Sequence, residues 1–346
     1  MRLFLVLPTT LPVSNAVLLA HAKVLVPSFS KLKDVQLIVV TDTLDSDLKL
    51  ACDQCVGVKI QTTQEATLFI RQVTNAVIVH FGAKLNWAKG FPQYFIPLLH
   101  TPALGKQLFF QRYLTAKKIN KYLNSATKII AMNEWAFSIL QNSFPKWIAK
   151  IQLISFTNHD IPHFEWQTLA ATRATIAADN NYFLVFAPVE KLVAILKEFS
   201  IFKKWQQTTM HLVFVFEDAQ QVQIAHAKLK GYKFKDAVSI RQVDEFHLSW
   251  LGAAYAILFE AVAYPYAIWM QQAIQQEIPL FLDEALQLPS SWVKAGELFS
   301  FSEKLALSNH FKLYYKDELY RQAKASNGKE WFTQMQLQDS SSDIFK

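Results

Sequence analysis

The sequence predicts an α/β protein of two doubly wound domains, each built on a mainly parallel sheet, facing each other across a cleft. Three observations lead to that class. At 346 residues the chain exceeds one ordinary domain of about 100 to 200 residues. Short apolar runs of strand length alternate with stretches of helical period along nearly all of it. The stretch 254–282, AYAILFEAVAYPYAIWMQQAIQQEIPLFL, packs a strand, a turn, a helix and a second strand into one β-α-β unit.

Taken in order, residues 3–7 form a strand, a polar turn follows, and 16–23 read as a helix. Residues 35–41 are a second strand ending at Asp42, 65–73 a helix, and 76–81 and 94–99 further strands. Residues 109–124 read as a long basic and aromatic helix, 128–132 as a strand, 134–143 as a helix and 150–154 as the closing strand. The polar segment 156–166, with Asn158, Asp160 and Pro162, suits a linker, which divides the chain into domains 1–155 and 156–346. The second series runs strand 182–186, helix 189–204, strand 211–216, helix 219–230, strand 238–241 and helix 243–251. In the β-α-β stretch, residues 255–259 are a strand. Pro265 has the fixed φ of a first helical turn, and Met270, Ala273 and Ile274 mark one packed face against a polar face of Gln271, Gln272, Gln275 and Gln276. Residues 278–282 are the next strand. Short pieces at 290–295 and 298–301 precede helices near 302–308 and 317–335.

Composition narrows the function classes. Half the residues are apolar, enough for two cores, while 8 glycines leave few places for phosphate-cradling turns. A net charge of +7 suits anionic partners. The basic residues are dispersed apart from Lys117, Lys118 and Lys121, and with no nucleic-acid-binding signature a nucleic-acid partner is set aside. Cys52 and Cys55 form a lone CDQC without a second ligand pair, so they are expected reduced and metal-free, with no cofactor, in a reducing cytoplasmic setting. Residues 1–22 are broken by Pro8 and Pro12 and read as a first strand rather than a signal peptide; Glu260 and Pro265 argue against a membrane span at 252–270.

The 254–282 stretch resembles the donor-site segment of retaining GT-B glycosyltransferases of family four, whose strand and turn are followed by Glu, seven residues, Glu at a helix start and a closing strand. An ungapped match places Tyr264 and Gln272 at the two acidic positions; anchoring on Pro265 places Glu260 and Ile268 there instead, at the cost of an extra helical turn. We favour the ungapped match. Similarly, YFLVFAPVEKLVAILKEFSIFKKW looks like the first β-α piece of that family's second domain, with Lys191 at the diphosphate-binding Lys and Phe186 where an Arg stands. YKDELYRQAKASNGKEWF is similar to its closing helices, the last of which packs back on the first domain.

The resemblance implies a nucleotide-sugar donor and an unknown glycan or lipid-linked acceptor. Its donor contacts fall on Lys191 and Gln272, and its acceptor-side histidine on His100 in LLHTP or His80 in IVHFG. Each has a plainer reading: a solvated lysine at a helix start, a polar helix face, and turn or strand histidines. LPTTLPVSN, without glycine, replaces the family's glycine-rich loop. The helix carrying Lys117, Lys118 and Lys121 either contacts an anionic membrane from the cytoplasmic side or packs on its sheet with a solvated basic face. Two functions stand open: sugar transfer from a degenerate donor site, or a catalytically inactive binding or partner protein on the same fold.

Overall fold

The computed structural model describes residues 1–7, 15–42, 46–81, 90–97, 121–154, 164–260, 267–286 and 288–336. The chain divides into two compact units, Met1–His159 with Gln336–Lys346, and Asp160–Met335.

The first unit is built on seven parallel strands in the order β3-β2-β1-β4-β5-β6-β7. They are β1 (Arg2–Val6), β2 (Gln36–Val40), β3 (Lys59–Gln61), β4 (Ala76–Phe81), β5 (Gln93–Ile96), β6 (Lys128–Ala131) and β7 (Ile151–Leu153). Alternation along β1 feeds two cores. Leu3, Leu5 and Leu7 join Leu25, Val26 and Phe29 of α1 (Asn15–Ser30) on one face, while Phe4 and Val6 join Ala66 and Ile70 of α3 (Thr63–Ile70) on the other.

Helix α1 runs past the expected end at residue 23 and continues through Pro27. Its second half buries Leu25, Val26 and Phe29, and the hydroxyls of Ser28 and Ser30 donate to Val24 O and Pro27 O; this burial outweighs the lost backbone donor. Helix α2 (Ser46–Asp53) and β3 escape the sequence reading because one is short and polar and the other has a single apolar residue. Helix α3 opens with a capping box in which Thr62 and Glu65 each bond the other's backbone N–H. Helix α4 spans Glu134–Ser143. Of the expected helix 109–124, only 121–124 lie within the described residues, and they are helical.

The second unit carries six parallel strands in the order β10-β9-β8-β11-β12-β13. These are β8 (Tyr182–Phe186), β9 (His211–Phe216), β10 (Val238–Gln242), β11 (Ala256–Phe259), β12 (Leu280–Asp283) and β13 (Gly296–Phe299). Their helices are α5 (Trp166–Ala177), α6 (Leu192–Trp205), α7 (Ala219–Leu229), α8 (Ser249–Gly252), α9 (Ala267–Gln275), α10 (Ala306–Lys316) and α11 (Glu318–Gln336). Phe183 lies at the centre of one core, its ring stacked 4.4 Å from Phe311 and edge-on to Phe202 and Phe281. Gly296 permits the β12–β13 approach, since a Cβ there would lie 2.1 Å from Leu280 O.

Two expectations are corrected here. The helix expected over 243–251 is broken into a 3-10 turn, Val243–Glu245, and α8. Phe246 between them is extended, with its ring packed on Phe186, Trp250 and Trp269. The helix expected at 302–308 starts only at Ala306 and runs on to Lys316, burying Leu307, Phe311 and Tyr314.

In both sheets the strand order reverses between the first and fourth strands, β1 and β4 in one unit, β8 and β11 in the other. Sheets of this kind place ligands outside the carboxyl ends of the strands at that switch point.

Candidate functional site

At the switch point of the second unit, β8 ends at Phe186 and β11 at Phe259, and the Glu260 N–H donates to Phe186 O at 3.0 Å, extending the ladder by one bond. The chain leaving β8 reaches Lys191, the N-cap residue of α6, where no side chain caps the first-turn N–H groups. Uncapped N–H groups and the helix dipole favour an anion at such an end.

Lys191 Nζ lies 2.8 Å from Glu260 Oε1 and 4.7 Å from the centre of the Phe301 ring, and 39% of its side chain is exposed. Glu260 has no exposed surface, and no donor reaches its Oε2 among the described residues. Asp283, at the end of β12, is also buried; its Oδ1 accepts the Ala285 N–H. The Glu260 carboxyl is pushed up to about 7, by burial first, with Lys191 pulling it down and the neighbouring Asp283 pushing it up. A carboxyl in that position changes charge near neutral pH.

The other sequence candidates fall as follows. Gln272 is 4% exposed on α9, and its Oε1 has no hydrogen-bond partner among the described residues. The glutamine row read as a polar face is buried or half-buried, and α8 packs against α9 with Gln276 Oε1 against Gly252. Phe186 is a core residue, stacked 5.0 Å from Phe259 and tilted against Trp269 at 5.3 Å. Tyr264, Pro265 and His100 lie outside the described residues. His80, 1% exposed, sits inside β4 opposite Val6 at the other unit's switch point, and neighbouring Phe81 packs on His21 of α1 at 5.0 Å.

Lys191 and Gln272 thus belong to one unit and His80 to the other. Glu260 and Asp283 are the residues that sequence reasoning left aside. The signal for Glu260 was present in the Pro265-anchored match; for Asp283 it was an acidic residue directly after an apolar strand.

Among the described residues no group of three or more His, Cys, Asp or Glu side chains is placed to hold a metal, and no helix is long and apolar enough to cross a membrane. Cys52 and Cys55 are free thiols; burial, with Cys55 and Asp53 nearby, pushes the Cys52 thiol up to about 11, and Cys55 Sγ donates to Ala51 O.

No family model and no curated protein sequence matches this chain. Solved structures do, and they define the fold class: the two parallel sheets are those of the GT-B glycosyltransferases. One is HepE of Anabaena in complex with UDP and glucose, with a TM-score of 0.69 and 14% identity, covering 96% of this chain and 95% of that one. A glycosyltransferase of Rickettsia africae gives 0.67 at 9% identity over 100% and 98% of the two chains. WaaG, a glycosyltransferase of lipopolysaccharide biosynthesis, gives 0.61 at 11% identity over 96% and 95%. At these identities the likeness concerns the fold.

Proposed function

We propose that the protein is a GT-B-type glycosyltransferase that takes a nucleotide sugar at the carboxyl ends of β8, β11 and β12. It would pass the sugar to a glycan or lipid-linked acceptor. The observation that carries this is Lys191, a cation at the uncapped start of α6 on the switch point of the sheet. A Lys ammonium and helix N–H groups together suit a diphosphate. The complex of HepE with UDP-glucose supports the donor class. Assignment to retaining family four rests on the likeness of residues 254–282, 182–205 and 316–332 to that family's segments.

The donor site in this reading is degenerate. Phe186 is in the core, Gln272 is buried on α9, and Lys191 is already held by Glu260. These three facts favour the second reading, a catalytically inactive relative that binds a partner or ligand. Charge-assisted contacts are worth roughly 1.5 to 3 kcal/mol each, so losing two shifts donor affinity from micromolar to about millimolar.

Calorimetry with UDP-, GDP-, ADP- and dTDP-sugars tests the proposal. We expect weak binding of one class, abolished by Lys191→Ala. Tight binding indifferent to that substitution would overturn the placement of the site. Release of free nucleotide from the bound donor, with and without acceptor glycans, separates the two readings.

A further inference from the structure

Glu260 has no exposed surface, one oxygen on Lys191 and the other reached by no donor among the described residues. A buried ionised carboxylate requires a cation or several donors. Here its cation is the same ammonium that the donor-site reading gives to a diphosphate. While Glu260 is ionised, a bound anion would bring a second negative charge to that ammonium, with the Asp283 carboxyl also close by. Protonation resolves the conflict, because a neutral carboxyl can donate its proton to Asp283 and no longer needs Lys191.

We propose that Glu260 is a positioning residue that couples anion binding at Lys191 to uptake of one proton from solvent. Ionised, it holds the ammonium and opposes the ligand's charge; protonated, it turns its O–H toward Asp283 and leaves Lys191 to the ligand. The proton stays on Glu260 and is not passed to the ligand. Among the described residues, the charged groups facing the Glu260 carboxyl are Lys191 from the start of α6 and Asp283 from the end of β12, while the Phe186 carbonyl of β8 accepts the Glu260 backbone N–H. The Phe301 ring keeps the ammonium at the sheet edge in either state. An upward-shifted carboxyl, at about 7, puts this exchange in the neutral range. The inference rests on the donor-site reading of Lys191, and its test separates the two.

UDP-glucose is the probe, because its diphosphate diester keeps a fixed charge from about pH 5.5 to about pH 8.5. Wild-type affinity should be flat below about pH 6 and weaken toward about tenfold per pH unit above pH 7. Calorimetry in buffers of different ionisation enthalpy should show net proton uptake above pH 7. Glu260→Gln should bind with a pH-independent affinity close to the wild type's low-pH value. UDP-glucose bound with the same affinity at every pH, or a slope that survives in Glu260→Gln, overturns the coupling and keeps the donor site.

Absence of binding at every pH overturns the donor-site reading instead. The proton-holding Glu260–Lys191 pair is then judged without ligand, by side-chain carbon NMR of protein carrying ¹³C-labelled glutamate, with the Glu260 signal identified by its loss in Glu260→Gln. A Glu260 midpoint near neutral that rises in Lys191→Ala supports it. A midpoint in the ordinary carboxylate range, or one unmoved by Lys191→Ala, overturns it.

Discussion

Replacing Glu260 by Gln should change how stability depends on pH more than stability itself at acid pH. The folded protein holds the Glu260 proton to about 7, against an ordinary value of 4.5. A carboxyl raised on folding contributes stability that is complete below its unfolded value and is lost as pH climbs through its folded value. The difference corresponds to about 3 kcal/mol lost between roughly pH 4.5 and pH 7.5. Gln keeps the shape, cannot ionise, and leaves Lys191 with 39% of its side chain in water to solvate its charge. Urea unfolding followed by tryptophan fluorescence at pH 5 and pH 8 measures this, for wild type and variant side by side. The comparison cancels the titrating groups that do not interact with Glu260; Lys191 and Asp283 are the partners it leaves in play. We expect the wild type to lose about 3 kcal/mol more than Glu260→Gln over that interval. The same pH dependence in both proteins would refute the buried, proton-holding carboxyl.

Three further outcomes follow from the packing. Gly296→Ala should cost more than about 3 kcal/mol, or leave the second unit unable to fold, because the new Cβ meets the backbone of Leu280 at 2.1 Å; circular dichroism melts read this directly. Phe183→Ala should destabilise by about 3 to 5 kcal/mol in urea unfolding, since the ring it removes touches Phe202, Phe281 and Phe311. With its thiol buried and pushed up to about 11, Cys52 should resist iodoacetamide in the folded protein and react on unfolding; peptide mass spectrometry after brief labelling checks this.

The strands were legible because fully buried parallel strands read as short apolar runs, and β4, β8 and β9 fall at the residues read from sequence. Helix ends were less so. The helix read over 16–23 is carried on through Pro27 by Val26 and Phe29; Phe246 looks helical, but its ring is claimed by Phe186 and Trp269. Tertiary packing decided both, and local periodicity does not carry that information. For the proposed site, Lys191 was picked out by the resemblance of residues 182–205 to a family segment, and the structure puts it at the start of α6 beside Glu260. The role of Glu260 was not legible, because its meaning depends on the end of β11 lying beside the start of α6, a juxtaposition set by strand order rather than by chain order. For Gln272, a run of glutamines reads as a polar face, and its burial depends on tertiary packing that the run does not show.

The most direct test of a donor site at the β8–β11 switch point is hydrogen exchange with and without saturating UDP-glucose. The account predicts slowed exchange at residues 187–194, where the uncapped N–H groups of α6 lie, and around Glu260, with the effect lost in Lys191→Ala. Protection elsewhere with these residues unchanged, or protection there that survives Lys191→Ala, would contradict it.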